Sequence, residues 1–273
     1  MPNWVTNKLI IEGQNSVGVM KGLLSIDEYE DYYFDFNKII PIPEELNIIA
    51  GSLTNKCVEL YLTYINPDIK YFGIENTDYK FFYKQKALVN NGKRFGSFVD
   101  NLTSKEIDEV VKRNINGANL KDVNDLLEYG KKAIANIDKF GSMDWYDWSI
   151  RNWGTKWNSC HNIYDIENSP NEIVFDTAWG NVLELMTTLS TMFPNNEFNY
   201  IFAEEQIGIQ TGNVGIKNGE IIYGAFFQDG SKEAYEQSFE LLGEDLMEFY
   251  EFDENKQTYV YVAEEESLDE EEM

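Results

Sequence analysis

Strand-like alternation in this chain falls into two blocks separated by about a hundred residues of mostly helical pattern, residues 44–142. In the first block Val5–Glu12 alternates apolar and polar side chains and stops at Gly13. Asn15 or Ser16 is placed to cap a helix through about Leu24, with Val17, Met20, Leu23 and Leu24 at helical spacing. Tyr33–Ile39 alternates again and ends at Pro41 and Pro43, which cannot continue a central strand. Two strands are too few to close a hydrophobic face. The first block therefore needs the second, and the spacing predicts one sheet-bearing core built from residues 1–43 and 143–230.

The intervening stretch carries a helical pattern over Thr54–Ile65, an ambiguous aromatic and Lys-rich run over Tyr71–Val89, and a capping box from Thr103 to Glu106. A further amphipathic stripe runs from Asn119 to Phe140 through Leu120, Val123, Leu126, Leu127, Ala133, Ile134 and Ile137. Residues 44–142 thus read as a helical insertion of small-domain size. In the second block Ser142 or Asp144 starts a short helix that ends at Gly154. Strands are predicted at Asn158–Glu167, Glu172–Thr177, Glu197–Glu204, Gly208–Lys217 and Glu220–Phe227, with an amphipathic helix at Val182–Phe193. Lys217, Asn218 and Gly219 form a hairpin turn in which Asn-Gly supplies positive φ. A helix from Ser231 to Phe249 and a turn and strand over 252–262 make residues 231–262 an acidic extension. Residues 263–273, with seven acids, read as a solvated tail.

Four ordered blocks carry a family resemblance. They are Met1–Gly13 with its Met-Pro-Asn-Trp start, Phe34–Leu46, Trp145–Asn158, and Phe175–Trp179 followed by a helix ending Met192-Phe193-Pro194. Together they resemble the phage- and plasmid-encoded Api92-like family, whose domain is described as YubB ferredoxin-like. Members often carry Cys where this chain has Val5. The resemblance implies a ferredoxin-like α/β sandwich, in agreement with the α+β class read from the strands and helices. It implies no iron–sulfur cluster, because Cys57 and Cys160 are the only thiols and such clusters commonly need four. It also implies a mobile-element origin, and such elements commonly encode proteins that disarm host machinery.

The net charge is −26, and residues 233–273 contribute −15 of it, with sixteen acids against the single base Lys256. A phosphate-backbone binder needs a Lys/Arg surface, so direct nucleic-acid binding is not expected. An acidic surface instead suits a basic partner or imitates nucleic acid. Glu233, Glu236, Glu240, Glu244, Asp245 and Glu248 recur every few residues and form the candidate partner-binding stripe. The second candidate surface is the stretch from Trp145 to Trp157, which holds four of the six Trp. There Trp145, Trp148 and Asn152 share one helix face, Trp153 and Trp157 form a second pair, and Asp147 and Arg151 are spaced to pair.

No catalytic constellation stands out. His161 and Cys160 are neighbours on a predicted strand and would point to opposite faces. Asp176, Glu204 and Glu205 read as strand-edge carboxylates, and the Gly208/Gly212/Gly215 spacing lacks the Lys-Ser/Thr of a phosphate loop. The expected protein is non-enzymatic and without cofactor or metal. It would be a phage or mobile-element factor that binds a host protein, such as a nucleic-acid-binding defence effector, in the bacterial cytoplasm. A nucleic-acid-associated module using the Trp cluster and an enzyme with an unrecognised site are the alternatives. No secretory signal and no membrane-spanning stretch is read.

Overall fold

The structure is a computed structural model that describes residues 2–51, 53–55, 57, 58, 61 and 123–262. The ambiguous run at Tyr71–Val89, the capping box at Thr103 and the acidic tail 263–273 lie outside the described residues. The chain divides into two compact units, one of residues 1–41 and 152–273, the other of residues 42–151.

The first unit is organised around β1, Trp4–Glu12. Helix α1 (Ser16–Leu23) follows, then a small hairpin of β2 (Leu24–Ile26) and β3 (Tyr32–Phe34). Between β3 and β4 in the chain come helices α2 (Val123–Phe140) and α3 (Trp145–Trp153). After residue 152 come β4 (Cys160–Ile163) and β5 (Glu172–Ala178). Helix α4 (Leu183–Met192) leads to β6 (Glu197–Glu204), β7 (Gly212–Lys217) and β8 (Glu220–Phe226). One six-stranded sheet has the order β4-β5-β1-β6-β7-β8, with every pair antiparallel. Taken as β1-α1-β4-β5-α4-β6, the first four strands in that order form the split βαβ arrangement of a ferredoxin-like sheet. The hairpin β7–β8 extends it beyond β6.

One face of the sheet is the core. Val5, Leu9 and Ile11 of β1, Ile173 and Phe175 of β5, and Phe198 and Phe202 of β6 are all buried there. Met20 and Leu23 of α1 and Leu185, Met186 and Leu189 of α4 are buried as well, on helices packed against β1, β6 and β7. Asn7 is also on this face and fully buried. Its Nδ2 donates to the carbonyls of Val5 (2.7 Å) and Phe175 (3.2 Å) and lies 2.9 Å from Thr177 Oγ1. Its Oδ1 accepts from the Tyr200 hydroxyl, whose oxygen in turn accepts from the Val182 amide at 2.9 Å. Burial pushes the Tyr200 hydroxyl far above its ordinary pKa, so it stays a neutral donor.

The structure corrects several boundaries. The alternation at Tyr33–Ile39 forms a strand only as far as Phe34. Asp35 then accepts from the Asn37 amide (3.0 Å) and turns the chain into a 3-10 helix, Phe36–Lys38. Burial works to raise the Asp35 carboxyl, but hydrogen bonds from Asn158, Asn37 and Ser25 outweigh it and hold it below its usual value. Asn15 occupies the N-cap of α1 in the left-handed conformation but makes no side-chain capping bond. β4 is shorter than the predicted 158–167 strand because Asp165 accepts from the amides of Glu167 and Asn168 and closes a turn. The hairpin turn has Asn218 at φ 47° and Gly219 at φ 83°, as the Asn-Gly pair predicts. The helix from Ser231 ends early: α5 is Lys232–Leu242, Gly243 at φ 139° breaks it, and a separate 3-10 helix covers Glu244–Phe249. Strands β9 (Tyr250–Asp253) and β10 (Thr258–Tyr261) pair as a hairpin.

In the second unit α2 (Val123–Phe140) buries Ala133, Ile134 and Ile137 against Ile48, Val58 and Met143. Asn136 ties the start of this unit to its end by donating to the carbonyls of Glu45 and Met143, each at 2.9 Å. Helix α3 (Trp145–Trp153) starts at Asp144, whose Oδ1 accepts from the Tyr146 amide at 3.0 Å. Burial, aided by the charge of Asp147, pushes the Asp144 carboxyl up to about 6. Among the described residues no helix is long and apolar enough to cross a membrane.

Two outcomes follow from these buried groups. Tyr200→Phe leaves the Val182 amide and Asn7 Oδ1 short of a partner, and should cost about 1–3 kcal/mol in urea unfolding of unit one. A variant as stable as wild type would show that this network contributes nothing. For Asp144 the folded carboxyl titrates near 6 against 3.8 unfolded, so the folded state holds the proton more tightly in between. The contribution is present below pH 4 and is lost as pH rises through 6, on the order of 2 kcal/mol. Asp144→Asn, which keeps an acceptor for the Tyr146 amide, should flatten this slope in denaturation curves recorded between pH 4 and 7.

Candidate functional site at one end of the sheet

The predicted site residues separate into two groups. Glu233, Glu236 and Glu240 lie on α5, while Glu244, Asp245 and Glu248 lie on the 3-10 helix beyond Gly243. The six acids are all exposed, but they do not form one continuous helical stripe, because Gly243 resets the backbone direction between them. Lys232 pairs with Glu236 at 3.5 Å and Lys256 with Asp253 at 3.3 Å. A shallow polar cavity of about 330 Å³ opens where α5 starts, beside Lys232, Glu233 and Lys256.

Trp145, Trp148 and Arg151 belong to the second unit. Trp148 is buried and Trp145 is partly buried against Tyr146 (ring centres 5.8 Å). Arg151 is exposed and donates to the Gly141 carbonyl. Asp147 and Arg151 do not form the predicted ion pair within 4 Å. Burial raises the Asp147 carboxyl, and the nearby Arg151 charge opposes that rise. Trp153 is core: its ring lies 5.5 Å from Phe36, and its Nε1 donates to the Ile40 carbonyl at 2.9 Å.

A different cluster, in the first unit, gathers functional side chains that the sequence pattern leaves scattered. It sits where β1 begins and β5 and β6 end. Trp4 is 6.1 Å from Trp157 and 4.8 Å from His161, the latter edge-on. Lys156 is 8% exposed, and its Nζ lies 3.6 Å from the ring centre of Trp157 and 3.8 Å from that of Trp179. Trp157 and Trp179 are themselves 38% and 47% exposed. Among the described residues no carboxylate approaches Lys156 within 4 Å, so two indole faces are its partners.

Carboxylates and amides frame the cluster. His161 Nδ1 lies 2.9 Å from Asp176 Oδ2, and Thr6 donates to the other Asp176 oxygen at 2.8 Å. The Cys160 thiol, raised by burial and by the Asp176 charge, lies 3.5 Å from the Asn158 carbonyl, while the His161 imidazole, on a left-handed backbone rather than the extended one predicted, meets Asp176. Glu204 is buried and accepts from Asn3 Nδ2 and Gln210 Nε2, each at 2.7 Å. Gln210 also donates to the Trp179 carbonyl at 3.2 Å, and the Trp179 amide donates to the Asn3 carbonyl at 2.8 Å.

Three non-glycine residues in this cluster have left-handed backbone: His161 at φ 46°, Trp179 at φ 72° and Gln210 at φ 44°. For a bulky residue such as Trp this conformation is strained, and it persists only where the surroundings over-determine it. Here the strain holds an indole and an imidazole out toward solvent. The available signal in the sequence was that three of the blocks carrying the resemblance each contain part of the cluster: Trp4, Lys156 with Trp157, and Trp179. Among the described residues no three His, Cys, Asp or Glu side chains converge as a metal ion requires.

Residues 152–262 match the family model described as the ferredoxin-like domain in Api92-like protein. That segment contains β4 through β10 but not the central strand β1, which residues 4–12 supply. Among solved structures, a crystal structure of a protein Api92 from Yersinia pseudotuberculosis aligns with 84% of this chain and 99% of its own, at 15% identity and a TM-score of 0.35. No curated protein matches the chain. Over residues 152–262, this chain is similar to the ferredoxin-like domain of Api92-like proteins.

Proposed function

We propose that the protein acts by binding another protein rather than by catalysis, and that its partner presents a basic surface. The observation that supports this is the exposed acidity of residues 233–248. Glu233, Glu236, Glu240, Glu244, Asp245 and Glu248 all face solvent, and of these only Glu236 has a cation within 4 Å among the described residues. Exposed charge of one sign contributes little to folding but steers a complementary partner. In this reading the protein is an accessory factor of a phage or other mobile element. It occupies the nucleic-acid groove of a host defence effector, of the CRISPR or restriction type, in the bacterial cytoplasm.

The second reading, a nucleic-acid-associated regulatory module, draws on the exposed indoles of Trp157 and Trp179 rather than on the helix α3 face. The two readings part in their response to charge. Glu233→Gln, Glu236→Gln, Glu240→Gln and Glu244→Gln combined should weaken capture of a DNA-binding host effector at least tenfold at low salt while leaving the melting midpoint nearly unchanged. Wild-type affinity should fall steeply between 50 and 200 mM salt, since screening acts most on exposed charge. Equal binding by the four-Gln variant and wild type at low salt would end the acidic-surface reading.

A further inference from the structure

We propose that β8 is the interface of a homodimer, in which the same strand of a second copy pairs with it antiparallel about a two-fold axis near Ala225 and joins the two six-stranded sheets into one. The strand lies outside the acidic residues 233–248, and the inference does not depend on the acidic-surface reading.

The backbone carries the first part of the argument. β8 is the last strand of the sheet and is bonded to β7 on one side only. Every residue from Glu220 to Phe226 is exposed. The Phe227 amide donates to the Thr211 carbonyl at 3.1 Å. By the alternation of an antiparallel ladder, Ala225 then also turns its backbone groups to β7, while Gly224 and Phe226 turn theirs outward. Gly224, at φ 101°, brings its Cα against the Asn213 carbonyl of β7, which fits an amide and carbonyl turned the other way. Among the described residues no backbone group pairs with this outer row. Proteins ordinarily protect such an edge with Lys, Pro or a covering segment. Here Ile221–Gln228 holds no charged residue and no Pro. The bulge opposite Gly215 and Ile216 precedes Tyr223 and leaves Tyr223–Phe226 in regular register with β7.

The second part is an unfinished apolar layer. Helices pack on β1, β6 and β7, with no comparable packing on β8. Ile221 stands opposite the buried Ile216, and Phe226 lies 6.2 Å from the buried Phe202, so both are on the helix side of the sheet. They are nevertheless 46% and 52% exposed. A second β8 supplies both missing partners at once. It offers a facing row of donors and acceptors, and it sets each Phe226 beside the Gly224 of the other copy.

Charge selects the occupant and its direction. A basic partner gains nothing from an uncharged edge, whereas two chains of −26 can meet only where acids are sparse. Glu220 is the one charged residue of β8. Antiparallel pairing sends the two Glu220 side chains to opposite ends of the interface, while parallel pairing would set them side by side. Helix α5 packs on β6 and β1, well inside the sheet. From β6 of one copy to β6 of the other is roughly 24 Å at about 4.8 Å per strand. That is beyond the Debye length of about 8 Å at physiological salt, so the acidic helices do not oppose the contact there.

The test is sedimentation equilibrium of the full chain from about 5 to 500 μM, with amide hydrogen exchange recorded at both ends of that range. The wild type should dimerise with a dissociation constant on the order of 10–100 μM, as suits a small interface. Salt fixes the sign: dimerisation should strengthen about threefold or more between 50 and 500 mM salt, because repulsion between the copies is screened. Binding of a basic partner by residues 233–248 responds in the opposite direction, so the two readings fail separately. The Gly224 and Phe226 amides should exchange at least fivefold more slowly at the high concentration. Ile222→Lys combined with Phe226→Lys should stay monomeric throughout while keeping a wild-type circular dichroism melt. Ala225→Lys, at an exposed position on the axis, repeats the test should that pair fail to fold. A wild type that is monomeric at 500 μM overturns the proposal and leaves the edge to a strand of another protein. A dimer overturns it equally if salt weakens it, if exchange at Gly224 and Phe226 is unchanged, or if folded Lys variants still form it.

Discussion

The side-chain amide of Asn7 is the interaction on which the sheet depends. β1 is the central strand, and it is contributed by a segment separated from its neighbours β5 and β6 by well over a hundred residues of chain. Burial of Val5, Leu9 and Ile11 already disfavours a one-residue slip of β1, which would exchange its two faces. With Asn7 inside, a slip would leave its amide without the carbonyls of Val5 and Phe175, Thr177 and the Tyr200 hydroxyl, and would bring Lys8 into the core. A buried amide without partners costs far more than a made hydrogen bond contributes. The network therefore acts as a register pin for three strands, and through Val182 it also fixes where α4 begins.

The same network reaches the exposed end of the sheet. Thr177 Oγ1 donates to the Gly180 carbonyl at 2.8 Å, and Tyr200 holds the Val182 amide, so both sides of the Trp179 turn are anchored in the core. Thr155 donates to the Ala178 carbonyl from the neighbouring segment at 2.9 Å. These bonds hold both sides of the Trp179 turn, and the residue they enclose sits at φ 72°. Lys156 follows directly after Thr155, so the bond that anchors this segment also delivers the ammonium to the indoles. Core polarity and the site are consecutive parts of one hydrogen-bonded path.

Much of this was legible in the residues, and the failures have physical causes. The period-2 runs of β1, β5 and β6 and the apolar spacing of α4 are long enough to identify their elements. So are the Asn218-Gly219 turn and the α2 stripe. Tyr33–Ile39 misled because alternation over few residues cannot be told from a strand end running into a capped turn, and Asp35 decides that locally. Ser231–Phe249 misled because helical periodicity persists across Gly243, where one glycine at positive φ is enough to stop the helix. The sheet-end cluster could not be assembled from spacing. It needs the antiparallel register that sets Trp4 opposite Ala178, and the β4 irregularity that turns His161 toward Asp176.

The acidic segment raises a question of balance, since residues 233–262 are ordered despite their charge. Their aromatic side chains supply the answer. Tyr235 and Phe239 of α5 meet Tyr250 and Tyr259 of the β9–β10 hairpin, with ring centres 5.4–5.8 Å apart, and Phe252 adds a contact to Tyr259 at 5.4 Å. Each such ring pair contributes about 0.5–1.5 kcal/mol beyond its buried area. Repulsion between exposed carboxylates on successive turns is worth only a few tenths of a kcal/mol and is screened by salt. The aromatic side of α5 and its hairpin thus wins over the acidic side by a wide margin. It follows that the fold of this segment does not depend on its charges being neutralised by bases of its own. The carboxylates stand on a scaffold that tolerates them, and salt should change what they attract well before it changes whether they are held in place.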